Sequence, residues 1–170
     1  MEAGRLDIAM HVIINAFFLS HALRDDVILH LVFYGMPDPP KHIEIRVSKE
    51  TSLSKKDTAT LVKKILYKYQ KGKKVEAFPG CFVEKKSFLQ VIEELSQEGK
   101  KIFILDKKGK NLRDAEISED CAFIIGDHNG LPKKELRRLK KMAEMISVGP
   151  EVYFASQVVT IINNELDLRG

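Results

Sequence analysis

Cys121-Ala-Phe-Ile-Ile-Gly-Asp-His-Asn-Gly-Leu-Pro132 runs from an apolar stretch of strand length into a glycine and two side chains able to move protons, and ends on a proline placed to start a helix. That order spells strand, tight loop, helix. After one amphipathic segment the pattern returns as Met145-Ile-Ser-Val-Gly-Pro150, followed by a final apolar helix. In open α/β sheets ligands sit where the carboxyl ends of strands meet such loops. Two of them in the last third of the chain, at Gly126 and at Gly149-Pro150, point to a small-molecule pocket.

Working outward, strands alternate with helices along the whole chain. Leu6, Ala9, Val12, Ile13, Ala16, Phe17 and Leu23 recur at helical spacing. Val27 to Phe33 is almost wholly apolar, as in a strand covered on both faces, and the prolines at 37, 39 and 40 end it in a turn. His42 to Val47 alternates polar and apolar residues, which predicts a half-exposed or edge strand. Ser54 with Asp57 resembles a capping box ahead of a helix through Leu61 to Tyr69. Val75 to Val83 reads as one short strand interrupted at Pro79-Gly80. Ser87-Phe-Leu-Gln90 caps a helix that Gly99 closes. Lys101 to Leu105 is a strand feeding an Asp106–Gly109 turn, and Asn111 to Asp114 is a polar loop or short extended piece. Pro132 opens an amphipathic helix with its basic residues outward. Ile146 to Val148 is a short strand. Tyr153 to Leu166 is apolar around most of its circumference, which suits a helix with a subunit interface on one side. The expectation is one α/β domain over residues 1–170 with a mostly parallel sheet and helices on both faces.

Composition narrows the class. The 170 residues are 44% hydrophobic and 31% charged, enough for one packed core. Leu6 to Leu23 is broken by Asp7, His11, Asn15 and His21, so neither a membrane span nor a signal peptide is expected and the chain reads as cytoplasmic. Cys81 and Cys121 lack metal-ligand spacing and are expected as buried free thiols, with no disulfide and no metal. The net charge of +4 permits a polyanionic partner without requiring one. Lys71-Gly-Lys-Lys74, Lys107-Lys-Gly-Lys110 and the 133–141 helix concentrate the basic residues, either for nucleic acid or as a solvated lysine-rich face.

G-x-G-x-x-G after a strand, the P-loop, G-x-S-x-G and H-E-x-x-H are all missing, which removes the common dinucleotide, triphosphate, hydrolase and zinc readings. What remains is a binder or a group-transfer enzyme. Asp127 and His128 between glycines form a candidate site; equally, Asp127 could cap the next helix with His128 in water.

Several segments together carry a resemblance: Phe123-Ile-Ile-Gly-Asp-His128, Ile146-Ser-Val-Gly-Pro150, Phe154-Ala-Ser-Gln157, Asn164-Glu-Leu-Asp167, Ile104-Leu-Asp-Lys-Lys-Gly109, Gly4-Arg-Leu-Asp7 and Asp25-Asp26-Val27. The chain resembles the archaeal-type tRNA pseudouridine-54 N1-methyltransferases of the SPOUT superfamily. The resemblance implies a deep trefoil knot near the C-terminus, a homodimer packed through it, S-adenosyl-L-methionine bent inside it, and tRNA as substrate. It places the cofactor against Leu105, Gly126, Val148, Gly149, Pro150, Glu151, Val152, Tyr153 and Val158. Many family members carry Cys at the position of Val158 and His at that of Asn163. A cysteine nucleophile is therefore not obligatory, and direct methyl transfer is expected. The family also carries a strand ahead of the Gly4-Arg-Leu-Asp7 motif; either that strand is missing from this sequence or its place in the sheet is expected to be vacant.

Methylation at N1 of pseudouridine requires loss of the N1 proton, and Asp127, Asp7 and His128 are the candidates to receive it. Arg5, Arg24 and Arg113 are candidates for phosphates or ring carbonyls, each with a structural ion pair as the plain alternative. Lys133, Lys134 and Arg137 could track the RNA backbone while the base is turned out of its stack. Methylation of a ribosomal RNA pseudouridine and a non-catalytic RNA-binding dimer are the competing functions.

Overall fold

The computed structural model describes residues 6–35, 37–126, 131 and 133–170, with the side chain of residue 133 excepted. The chain divides into two compact units, Met1–Phe88 and Leu89–Gly170, each with its own sheet.

In the N-terminal unit, α1 (Leu6–Phe17) is followed by β1 (Ile28–Phe33), β2 (Lys41–Arg46), α2 (Thr58–Tyr67), β3 (Val75–Phe78) and β4 (Cys81–Glu84). The strands form an antiparallel sheet in the order β1-β2-β4-β3. The expected mostly parallel sheet is corrected here. Residues 34–40 are too few to carry a parallel crossover, which takes a dozen or more, so β2 folds back on β1 as a hairpin. The single strand expected over residues 75–83 is likewise two, because Phe78 pairs with Cys81 across Pro79-Gly80. Proline followed by a glycine at φ +77° is the residue pattern of a type II turn.

β2 is also not an edge strand. It lies between β1 and β4 with five of its six residues buried. On one face Ile43, Ile45 and Val83 are fully buried, with Val62 and Ile65 from α2 equally so; removing such side chains from water is worth roughly 1.5–3 kcal/mol each. The other face carries His30, His42, Glu44 and Glu84: His42 hydrogen-bonds to both His30 and Glu84, and the Glu44 carboxylate accepts from Arg46 and Lys74. The polar half of the alternation is thus buried in a network rather than hydrated.

That network makes the unit acid-sensitive. Burial, and then the neighbouring His42 ring, push the His30 imidazole down to about 4, and burial lowers His42 as well. The unfolded chain takes up a proton at each ring near its ordinary value of about 6.5. Stability is therefore complete above about pH 6.5, and roughly 2–3 kcal/mol from His30 is lost as pH falls to about 4. Urea midpoints of chelator-treated protein at about pH 7 and about pH 4.5 measure this, and His30→Leu should flatten the difference.

The C-terminal unit contains α3 (Phe88–Gln97, whose first residue closes the preceding unit), β5 (Lys101–Asn111), a 3-10 turn at Leu112–Asp114, β6 (Cys121–Ile124), α4 (Lys133–Met142), β7 (Ala143–Ser147) and α5 (Ala155–Arg169). Gly99 at φ +87° ends α3 as expected, with the Lys100 N–H donating to the Leu95 carbonyl at 3.0 Å. The sheet is parallel, in the order β6-β5-β7. The turn expected at residues 106–109 is instead part of β5. The strand pairs with β7 through Leu105, shifts register, and pairs again at Lys110 and Asn111. Around this sheet Phe103, Leu112, Ala115, Ile146, Val158 and Ile162 form one core cluster.

Cys81 is buried and Cys121 half-buried, both unbonded. Burial raises both thiols, Cys81 to about 11, so neither is a reactive thiolate at neutral pH. Among the described residues no helix is long and apolar enough to cross a membrane.

Candidate functional site

Parallel pairing aligns the ends of three strands in the C-terminal unit. Ile104 lies opposite Ile124 of β6 and Met145 of β7, so the loop entered at Ile125-Gly126 and Val148 leave the sheet at its carboxyl edge, beside Leu105, where β5 shifts register against β7. Leu105, Val148 and Tyr153 then pack, partly buried, on the cluster that contains Val158. Position 158 is 7% exposed and supplies an apolar wall.

The loop after β7 is shaped by its own hydrogen bonds. The Ser147 hydroxyl donates to the Gly149 carbonyl at 2.8 Å and accepts the Gly149 N–H at 3.2 Å. Gly149 has φ +155°, and a β-carbon there would lie 2.9 Å from the Tyr153 hydroxyl oxygen. At the start of α5 the Gln157 side chain accepts the Phe154 N–H at 3.0 Å. Against this loop opens a cavity of about 260 Å³, walled by Val148, Gly149, Pro150 and Tyr153 on one side. Asn111, Leu112, Arg113 and the α5 residues Ile161, Asn164 and Glu165 form the other walls.

The structure therefore brings Leu105, Gly126, Val148 and Tyr153 to one sheet edge with Val158 beneath, while Pro150, Glu151 and Val152 stand exposed on the same loop. Asp127, His128 and Arg5 lie outside the described residues, as does the side chain of Lys133. Asp7, in the first turn of α1, is exposed and belongs to the N-terminal unit. In that unit too, Arg24 pairs with Asp26 at 3.7 Å. Arg113 has an 82% exposed side chain whose Nε is 3.8 Å from Glu165, which leaves most of its guanidinium in water. Lys134 and Arg137 are exposed on α4, whose Leu139 is fully buried.

The sequence did not mark Asn111, Leu112, Ile161, Asn164 or Glu165 as wall residues. They meet because the Arg169 guanidinium at the end of α5 donates to the carbonyls of Leu112 and Ala115, each at 2.9 Å, and of Arg113 at 3.0 Å. An arginine at the last position of a helix gives no sequence signal for that.

The family described as "Putative SAM-dependent RNA methyltransferase" matches residues 2–170. The chain belongs to this family. It is 35% identical to the tRNA (pseudouridine(54)-N(1))-methyltransferase of Thermococcus gammatolerans, over 97% of this chain and 85% of that protein. It is 36% identical to the enzyme of the same name from Methanocaldococcus jannaschii, over 99% and 86%. A protein of Vibrio parahaemolyticus named "Putative pseudouridine methyltransferase" is 36% identical over 96% and 85%. Among solved structures, Archaeoglobus fulgidus Nep1 bound to S-adenosylhomocysteine shares the fold at a TM-score of 0.59 and 19% identity, covering 97% of this chain and 71% of that one.

Proposed function

We propose that this chain methylates N1 of pseudouridine 54 in the T-loop of tRNA, using S-adenosylmethionine. The 35% identity with the Thermococcus gammatolerans enzyme over 97% of the chain carries the reading. The residues present fit the cofactor. Strand-end loops expose backbone donors and acceptors, Val148, Tyr153 and Val158 give apolar walls, and a glycine stands where a β-carbon would crowd Tyr153. When bound, the cofactor supplies an electrophilic methyl group carried on sulfur. Leu105, Gly126, Val148–Tyr153 and Val158 would hold it.

The chain's own work is then to position the base and to receive the N1 proton. Asp127 is our first candidate for the proton acceptor, with Asp7 and His128 behind it. Arg5, Arg24 and Arg113 would hold phosphates or the ring carbonyls as negative charge develops. Lys133, Lys134 and Arg137 would follow the backbone of the opened loop. The family match from residue 2 to 170 supports treating both units as one methyltransferase domain. We further propose a homodimer and the knotted C-terminal topology of SPOUT enzymes. Val152, Phe154 and Leu168, exposed at 84%, 78% and 74%, would be covered by the second subunit. Action on tRNA would place the enzyme in the cytoplasm.

The test is methyl transfer to three RNAs: a tRNA transcript with pseudouridine at 54, the same tRNA with uridine there, and a pseudouridine-containing ribosomal RNA fragment. Nucleoside mass spectrometry should find the N1-methyl product in the first alone. Asp127→Ala should lower turnover at saturating cofactor about 100-fold. Transfer to the ribosomal fragment alone would overturn the assignment. Absence of cofactor binding by calorimetry would replace the enzyme with an RNA-binding dimer.

A further inference from the structure

The polar face of the four-stranded sheet holds side chains that the methyl-transfer reading leaves unused. His30 of β1 lies opposite Glu44 of β2, and His42 projects two residues away on the same face of β2. One donor atom from each of the three lies within 4.8 Å of the others. His30 Nδ1 and His42 Nε2 face each other at 2.9 Å.

We propose that His30, His42 and Glu44 form a binding site for a divalent transition-metal ion of the zinc class. Two imidazoles and a carboxylate are the donor set of a zinc site with one position left open, and they select against magnesium or calcium, which prefer all-oxygen shells. Two nitrogens bound to one tetrahedral ion at about 2.0–2.1 Å are about 3.3 Å apart. The two nitrogens must separate by only a few tenths of an ångström, and the nearly parallel rings must turn so that both lone pairs converge on the ion.

The surroundings prepare these ligands. The Glu84 carboxylate accepts the Nδ1–H of His42 at 3.1 Å, which leaves His42 Nε2 without a proton and aimed at His30. A carboxylate behind an imidazole is the usual support of a metal-bound histidine, because it fixes both tautomer and ring orientation. Lys86, 2.9 Å from the same Glu84 oxygen, holds that carboxylate in turn. Burial keeps both imidazoles neutral near pH 7, the form that donates a lone pair. Glu44 is 4% exposed and takes the Arg46 guanidinium at 2.6 Å on one oxygen and the Lys74 ammonium at 2.9 Å on the other. A carboxylate has about four lone-pair positions, so roughly two remain for an ion. Those two cations also weaken binding, which sets the expectation at micromolar rather than nanomolar affinity. His30 is only half-buried and leaves a way in. Metal-motif spacing is absent from the sequence because the ligands converge through strand pairing, not along one helix or loop.

The experiment uses the untagged full chain after chelator treatment, titrated with zinc against a chromophoric competitor, with cobalt(II) absorption as the spectroscopic signature of the same site. One ion per chain with a dissociation constant of order micromolar is expected. His30→Gln should weaken it at least 10-fold and abolish the cobalt band, while His21→Gln, on an exposed residue, should change neither. Independently of any variant, zinc should shift the ring NMR signals of His30 and His42 and leave those of His11 and His21 in place. No stoichiometric ion in the unsubstituted chain overturns the proposal. So does a loss of less than 10-fold in His30→Gln, or a shift confined to other histidines.

Discussion

Gly109→Ala is expected to cost at least about 3 kcal/mol of stability and to lower the melting temperature by roughly 10 °C. A β-carbon at position 109 would lie 2.5 Å from the amide nitrogen of Ile146 and 2.6 Å from its α-carbon and carbonyl carbon. Those are main-chain atoms of a fully buried residue, so no side chain can rotate aside to make room. Relief comes only from moving β5 away from β7. Ile146 is where β7 is gripped twice, paired with Leu105 before the register shift and with Lys110 after it. Separation there would also displace Val148 and the loop that walls the cavity, so methyl transfer should fall with stability. Lys108→Ala, on an exposed neighbour, should stay within about 0.5 kcal/mol. Thermal denaturation followed by circular dichroism makes the comparison. A melting temperature of Gly109→Ala within about 2 °C of the unsubstituted protein would mean that the Ile146 backbone yields.

The same residue shows where sequence reading reaches its limit. Helical periodicity placed α1, α2 and α3 because each buries one stripe, and the apolar run at Cys121 placed β6. Nothing local showed that the polar stretch from Asp106 to Lys110 stays extended, since its extension depends on a glycine lying flat against a strand some forty residues later in the chain. Strand direction was legible in principle. Seven residues rich in proline between β1 and β2, and the two of Pro79-Gly80, cannot carry parallel crossovers, while the 133–142 helix between β6 and β7 can. The status of β2 was not legible. His42 and Glu44 alternate with Ile43 and Ile45 as they would on a half-wet edge strand, and one-dimensional alternation does not separate hydration from a buried hydrogen-bonded network. Around the cavity, strand-to-helix junctions marked Gly126 and Gly149-Pro150 as loop positions, and the family resemblance extended the second to Val148–Tyr153. Asn111, Asn164 and Glu165 could not be read, for they are gathered by one long-range side chain.

Arg169→Ala should remove that organiser, with an expected loss of about 3 kcal/mol. The guanidinium donates to the carbonyls of Ala115, Leu112 and Arg113 and, through Nε, to the Glu165 carboxylate at 3.0 Å. Charged hydrogen bonds contribute about 1.5–3 kcal/mol each, but four on one side chain are not additive and the Arg169 side chain is 29% exposed, so solvent takes back part of the sum. The main cost falls on three carbonyls left to find other donors, in a turn whose Leu112 is otherwise buried at 2% exposure. Arg169→Lys is the sharper comparison. An ammonium keeps the charge near the last turn of α5, where the helix dipole favours it, but it lacks the planar fork that reaches carbonyls separated along the turn. If charge alone mattered, lysine would restore stability; if the fork matters, it should recover less than half of the loss in urea denaturation. The second outcome is expected, together with weaker cofactor binding in both variants. Leu112 and Arg113 would then no longer be pinned to α5, and the cavity wall opposite Gly149 would be free to drift.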